Sequence, residues 1–149
     1  MSTVVVSGSG SGDGFAQHIS AGGHPLEADE PAAQGGTDTG PNPYDLLLAG
    51  LGACTSMTLG LYARRKGWPL QRVRVRLNYS RVHAADCETC ETQEGMLDRI
   101  ETEVELEGPL SEEQRARLLE IATRCPVHRT LTSKIDIQTR LASPETKGR

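Results

Sequence analysis

Aromatic residues are scarce in this chain, with one Phe, one Trp and three Tyr, so the core must be aliphatic. A tyrosine therefore asks for a reason of its own, and Tyr44 does so most of all. An excess of positive charge is also missing. The formal net charge is -4 with both signs interspersed, which argues for a soluble protein and against a nucleic-acid-binding surface. No charged-then-apolar leader opens the chain, since Met1 to Ser20 is mostly small and polar. The expected location is therefore a reducing cytoplasm. The glycine run GSGSGDG carries neither the three-glycine dinucleotide fingerprint nor a following Gly-Lys-Ser/Thr, which removes a nucleotide site. Four cysteines in a reducing compartment point to reactive or metal-binding thiols rather than structural staples.

The one long uncharged run extends from Leu46 to Ala63. Asn42-Pro43 before it and Lys66-Gly67 after it are helix start and stop signals, so a single helix is expected over Tyr44 to Lys66. At about 1.5 Å per residue it would be roughly 35 Å long, enough to cross a small domain. Its apolar residues occupy several rows: Leu47, Leu51, Cys54 and Leu61 lie on one, with Leu46, Ala53, Met57 and Leu48, Leu59 on others. Most of its circumference needs cover, so a second subunit, and hence a homodimer, is expected. The run also meets the minimum length for a membrane span. Three glycines, Thr55, Ser56 and Thr58 dilute it and Asp45 sits at its edge, so no membrane partner is expected.

Read in order, Thr3 to Ser7, Phe15 to Ser20 and His24 to Glu30 have the character of short strands, and residues 31–43 that of a surface loop. After the helix, Val73, Val75, Leu77 and Tyr79 alternate with Arg72, Arg74, Arg76 and Asn78. In a second strand Ile100, Val104 and Leu106 alternate with Glu101, Glu103, Glu105 and Glu107. Paired, the two strands set an arginine row against a glutamate row and form a charged hairpin. Residues 84–97 between them form a cysteine-containing loop.

Ser111 to Gln114 fits a capping box, with Leu118, Leu119, Ile121, Ala122 and Cys125 following at helical spacing. Pro126 ends or kinks that helix and can open a new one. Ile135, Ile137 and Thr139 suggest a final short strand, and residues 143–149 a frayed tail. Strands, helix, strands, helix and strand in one chain of 149 residues make a single α+β domain spanning 1–149.

Taken alone, Cys54 in a buried helix and Cys125 beside a proline are small buried hydrophobes. Cys125 is the less ordinary of the two. At the mouth of a restarted helix its thiolate would be favoured by the helix dipole and free amides, with His128 and Arg129 adding positive charge. Gly40-Pro41-Asn42-Pro43, then Ala53-Cys54, then Cys125-Pro126 in the second helical region resembles the OsmC/Ohr family over nearly the whole chain. That resemblance implies an intertwined α+β homodimer with two central helices and a two-cysteine thiol peroxidase site at the subunit interface. It implies Cys54 as the peroxidatic nucleophile, oxidised by a hydroperoxide to a sulfenic acid, and Cys125 as the resolving thiol. A dithiol reductant, dihydrolipoamide-like or thioredoxin-like, would reset the pair, and no cofactor is required.

Family members with established peroxidase chemistry carry a glutamate where this chain has Tyr44, and an activating arginine in the N-terminal half, where here none precedes Arg64. A replacement cation or donor is needed to ionise the nucleophile. Candidates are His24, His128 and Arg129, with Tyr44 and Asp45 as orienting groups. A separate cluster, His83, Cys87 and Cys90, offers three of the four ligands of a structural zinc, or a redox-active disulfide, or spectator thiols. Two alternatives to the peroxidase therefore stand: a non-catalytic module binding a small ligand, and a zinc-stabilised or redox-sensing protein.

Overall fold

The computed structural model describes residues 2–87 and 94–143. Three short strands, β1 (Val4–Gly8), β2 (Gln17–Ala21) and β3 (His24–Ala28), form an antiparallel sheet in the order β1-β2-β3. Gly22 and Gly23, at φ 58° and 84°, make the tight β2–β3 reversal that only residues tolerating positive φ supply. Phe15 lies before β2 and is half exposed, so the second strand is shorter than its sequence suggested. Val4, Val5 and Val6 of β1 are also more than half exposed.

The segment after β3 is tied down by a buried carboxylate. Asp29 accepts the amide N–H groups of Glu30, Thr37 and Thr39 and the hydroxyls of Thr37 and Thr39, at 2.6 and 2.8 Å for the last two. The Thr37 hydroxyl, then the remaining donors, hold its carboxyl well below the ordinary value despite the opposing effect of burial. Gly36 is needed there, because a Cβ would run into the Glu30 carbonyl. The expected surface loop is thus a folded knot with a 3-10 turn at Ala32–Gln34, and it delivers Asn42 to the start of the next helix.

Helix α1 (Pro43–Lys66) begins with a full capping box. Asn42 accepts the Asp45 N–H at 2.8 Å, and the Asp45 carboxylate accepts the Asn42 N–H at 3.1 Å, with Pro43 in the first turn. Gly67, at φ 69°, ends it. By length and composition α1 could cross a bilayer, a test that the core helix of a globular fold also passes. Here one stripe, Leu51, Gly52, Thr55, Leu59 and Ala63, is buried. Gly52 allows a close approach to the neighbouring hairpin, since a Cβ there would lie 2.8 Å from Leu77 Cδ1. Tyr44, Leu47, Met57 and Leu61 on the remaining circumference are exposed, Met57 at 73%.

The hairpin of β4 (Arg72–His83) and β5 (Met96–Glu107) sets the arginine row against the glutamate row, in a register that puts Arg72 opposite Glu107, Arg74 opposite Glu105 and Arg76 opposite Glu103. Among the described residues no ion pair within 4.0 Å joins these three pairs, so their contribution is the weak one of solvated charges. A 3-10 turn at Ala84–Asp86 follows β4, and β5 already starts at Met96, inside the expected 84–97 loop.

Helix α2 (Glu112–Ala122) starts on the Ser111/Gln114 capping box, and α3 (Pro126–Leu131) restarts at Pro126 as the sequence suggested. The core lies where α1 meets α2 over the hairpin: Leu59, Leu118, Ile121 and Ala122, flanked by Val73 and Val104. The final strand is not formed. Residues 134–143 have no regular structure, and Ile137 is 82% exposed. A strand exists only as one side of a ladder, and this alternating segment meets no partner strand among the described residues. Most of the expected 143–149 tail lies outside the described residues.

Candidate functional site

Cys54 sits in the middle of α1, half-buried, and is a free thiol. Cys125, also a free thiol, is fully buried. Helix α2 ends at Ala122 with Thr123 as its C-cap, and Pro126 holds Cys125 in an extended conformation, φ -66° and ψ 147°, which makes it the N-cap of α3. In that position its sulfur accepts the backbone N–H of His128 at 3.3 Å. Its other partner is on the central helix: Thr55 Oγ1 lies 3.7 Å from Cys125 Sγ. Thr55 follows Cys54 directly, so the α3 cap seats Cys125 against α1 at the level of Cys54.

Two adjoining cavities of about 200 and 210 Å³ open beside this contact, between α1, β5 and the α2–α3 turn. Both are lined by Leu51, Ile100, Thr102 and His128. One continues to Thr55 and Ala122, the other to Asp98 and Leu131. The lining is mixed: Leu51 and Ile100 are apolar, while Thr102 and His128 bring polar groups to both cavities and Asp98 brings a carboxylate to the second.

Tyr44, the aromatic that stands where a glutamate was expected, stacks on Tyr79 with centroids 4.5 Å apart and 23° between the planes. The Tyr79 hydroxyl donates to Asp98 at 2.5 Å. The Asp98 carboxylate, followed by burial and the Tyr44 hydroxyl, pushes the Tyr79 phenol well above its ordinary value, so it stays protonated. Asp98 in turn lines the second cavity. Asp45 is occupied by the helix cap, and Arg129 and His24 are exposed and line neither cavity. Of the groups expected near the thiols, the fold brings together Cys125, His128 and the Cys54 segment, and links Tyr44 to the rim.

Three residues of the site carried no role in the sequence reading. Thr55 counted there only as a dilution of an apolar run. The alternation in the sequence groups Tyr79 with Val73, Val75 and Leu77 and gives Asp98 no role; the register that sets Tyr79 opposite Ile100 puts Asp98 at the diagonal position, within reach of a long side chain. At the hairpin tip, Cys87 is buried and disulfide-bonded, while Cys90 lies outside the described residues. A zinc site on His83, Cys87 and Cys90 would require that bond to be reduced, and among the described residues no three His, Cys, Asp or Glu side chains gather to hold a metal.

The fold is similar to that of an OsmC-like protein from Mycoplasma pneumoniae, at 22% identity and TM-score 0.68, covering 88% of this chain and 86% of that one. It is also similar to an organic hydroperoxide resistance protein OsmC from Legionella pneumophila, at 21% identity and TM-score 0.64 over 91% of this chain and 92% of that one. The organic hydroperoxide resistance protein OhrB of Bacillus subtilis aligns at 23% identity and TM-score 0.60, over 91% of this chain and 93% of that one. No curated protein matches the chain. Residues 36–140, from the Asp29 knot through α3 and beyond, match the family described as OsmC-like protein, and the chain belongs to that family.

Proposed function

We propose that the protein is a thiol-dependent hydroperoxide reductase acting in oxidative-stress defence in the cytoplasm. The observation that carries this reading is the seating of the Cys125 sulfur against the residue that follows Cys54. Family membership and neighbours named as organic hydroperoxide resistance proteins support it. The Cys54 thiolate attacks the terminal peroxide oxygen, the O–O bond breaks, the alcohol leaves with a proton, and Cys54 becomes a sulfenic acid. Cys125 then attacks that sulfur, forming a disulfide and releasing water. An external dithiol, dihydrolipoamide-like or thioredoxin-like, restores both thiols and becomes a disulfide itself.

Leu51, Ile100, Val104 and Leu119 in the cavity beside Thr55 and His128 favour an organic hydroperoxide over hydrogen peroxide, because a hydrocarbon substituent gains by leaving water against them. His128 is the preferred activating group among the candidates, since it lines both cavities. The working form is a homodimer, whose second copy would cover the exposed side of α1 and give the 135–139 segment a partner strand.

Intact-mass and peptide analysis of the reduced protein after one equivalent of an organic hydroperoxide tests the reading, with two variants alongside. The expected result is a Cys54–Cys125 disulfide in the parent, no reaction in Cys54→Ser, and a trapped sulfenic acid in Cys125→Ser. A Cys54 that stays a thiol, in a protein that still binds apolar ligands, would transfer the assignment to a non-catalytic binding module. Oxidation confined to Cys87 and Cys90 would transfer it to redox sensing.

A further inference from the structure

Two polar side chains are buried among the described residues, Asp29 and Thr55. Asp29 is accounted for by the loop it ties together. Thr55 is not accounted for by its helix. It stands on the apolar stripe of α1 between Leu51 and Leu59, is 2% exposed, and returns its hydroxyl hydrogen to the Leu51 carbonyl at 2.9 Å. Such back-bonding slightly weakens a helix, so alanine or leucine would serve the stripe better. What the hydroxyl adds is a free lone pair facing Cys125 Sγ at 3.7 Å.

The donors sort themselves. The Thr55 hydrogen is engaged by Leu51, so in this contact the Cys125 S–H donates and the Thr55 oxygen accepts, while the same sulfur accepts the His128 N–H. The sulfur is thus held from both sides in a fully buried position. The Cα of Cys54 is about 3.8 Å from that of Thr55 across one peptide unit. A group that fixes Cys125 to Thr55 therefore fixes it at the level of Cys54 along α1.

We propose that Thr55 is a positioning residue for the resolving half-reaction, holding the Cys125 thiol at the level of Cys54 so that disulfide closure outruns further oxidation of the sulfenic acid. The proposal rests on the peroxidase reading above. In the step concerned, Cys125 sulfur bonds to Cys54 sulfur, the S–O bond of the sulfenic acid breaks, and the departing hydroxide combines with the thiol proton to give water. No outside oxidant or reductant enters. The Thr55 hydroxyl meets the Cys125 thiol, and because Thr55 also lines the first cavity its part in closure is read as the rate of that step relative to sulfenic acid formation.

Thr55→Val keeps the shape and removes the hydroxyl; Thr55→Ser keeps the hydroxyl. Each is mixed in reduced form with one equivalent of cumene hydroperoxide, quenched over time with a dimedone-type trap, and read by peptide mass for Cys54 sulfenic acid and for the Cys54–Cys125 disulfide. The expected result in Thr55→Val is closure slowed about tenfold relative to sulfenic acid formation measured in the same variant, as for the loss of one hydrogen bond, and over-oxidised Cys54 at higher peroxide, with Thr55→Ser closing at nearly the parent rate. Closure in Thr55→Val within twofold of the parent would overturn the proposal while leaving the peroxidase reading intact. Equal slowing of both steps in Thr55→Val, unrescued by serine, would also overturn it by assigning Thr55 to packing. Failure of the parent itself to form Cys54 sulfenic acid would bring down the peroxidase reading and the positioning role together.

Discussion

The two sheets of this molecule are held by different forces. The β4–β5 hairpin presses Val73 and Val104 onto Leu59 and Leu118, an aliphatic core supplied by α1 and α2. The β1–β3 sheet leaves Val4, Val5, Val6 and Leu26 in the open and is anchored by polar means, through the Asp29 carboxylate and its five donors at the end of β3. In the hairpin half, apolar burial fixes the fold and charge merely decorates it. In the N-terminal half one desolvated charge organises the chain and the apolar surface is left for something else to cover.

The largest effect that separates the halves is expected at Leu118, whose side chain is fully buried. Leu118→Ala removes it from the core and should lower unfolding stability by about 2–5 kcal/mol in urea titrations. A loss no greater than that of a surface substitution would mean that α2 does not seal the hairpin. A smaller and pH-dependent effect is expected at Asp29. Its folded carboxyl titrates below its ordinary value of 3.8, so the stability it contributes is complete above that value and drains away as the pH falls below it. Asp29→Asn should therefore lower the melting midpoint at neutral pH, and its gap to the parent should narrow with acidification. A gap that widens towards low pH would contradict the carboxylate's role. Smallest on the single chain is Val5→Asp, at an exposed site in β1, expected to change chain stability by no more than about 0.5 kcal/mol. In the homodimer proposed above, the same substitution should shift sedimentation from dimer towards monomer, and an unchanged dimer would show that β1 is not part of the covered surface.

These differences also govern what could be read from the residues alone. Helix α1, the charged hairpin and the α2 capping box were legible because their signals are local: Asn42 with Asp45, arginine alternating with valine, Ser111 with Gln114. Pro126 likewise announced the restart that makes Cys125 a cap. The final strand was legible as a pattern and absent as a strand, because alternation at Ile135 and Ile137 states which face is apolar but cannot supply a neighbour. The Asp29 knot was missed for the opposite reason, since its partners Thr37 and Thr39 lie in a stretch with no periodicity. For the site, the pairing of Cys54 with Cys125 came from family resemblance, not spacing. Thr55, Tyr79 and Asp98 needed the packing of α1 on α3 and the register of β4 on β5 before any role was visible.

The unequal burial of the two thiols has a directional consequence. Thiol–disulfide exchange proceeds by in-line attack on one sulfur and expulsion of the other. In a disulfide between Cys54 and Cys125 the sulfur open to an external thiolate is that of Cys54, because Cys125 is enclosed. The mixed disulfide with the reductant would then form on α1, and Cys125 would be the leaving group, departing towards the His128 amide that already faces its sulfur. On the proposed peroxidase reading, this unequal burial would give the regenerating half of the cycle one entrance and one exit.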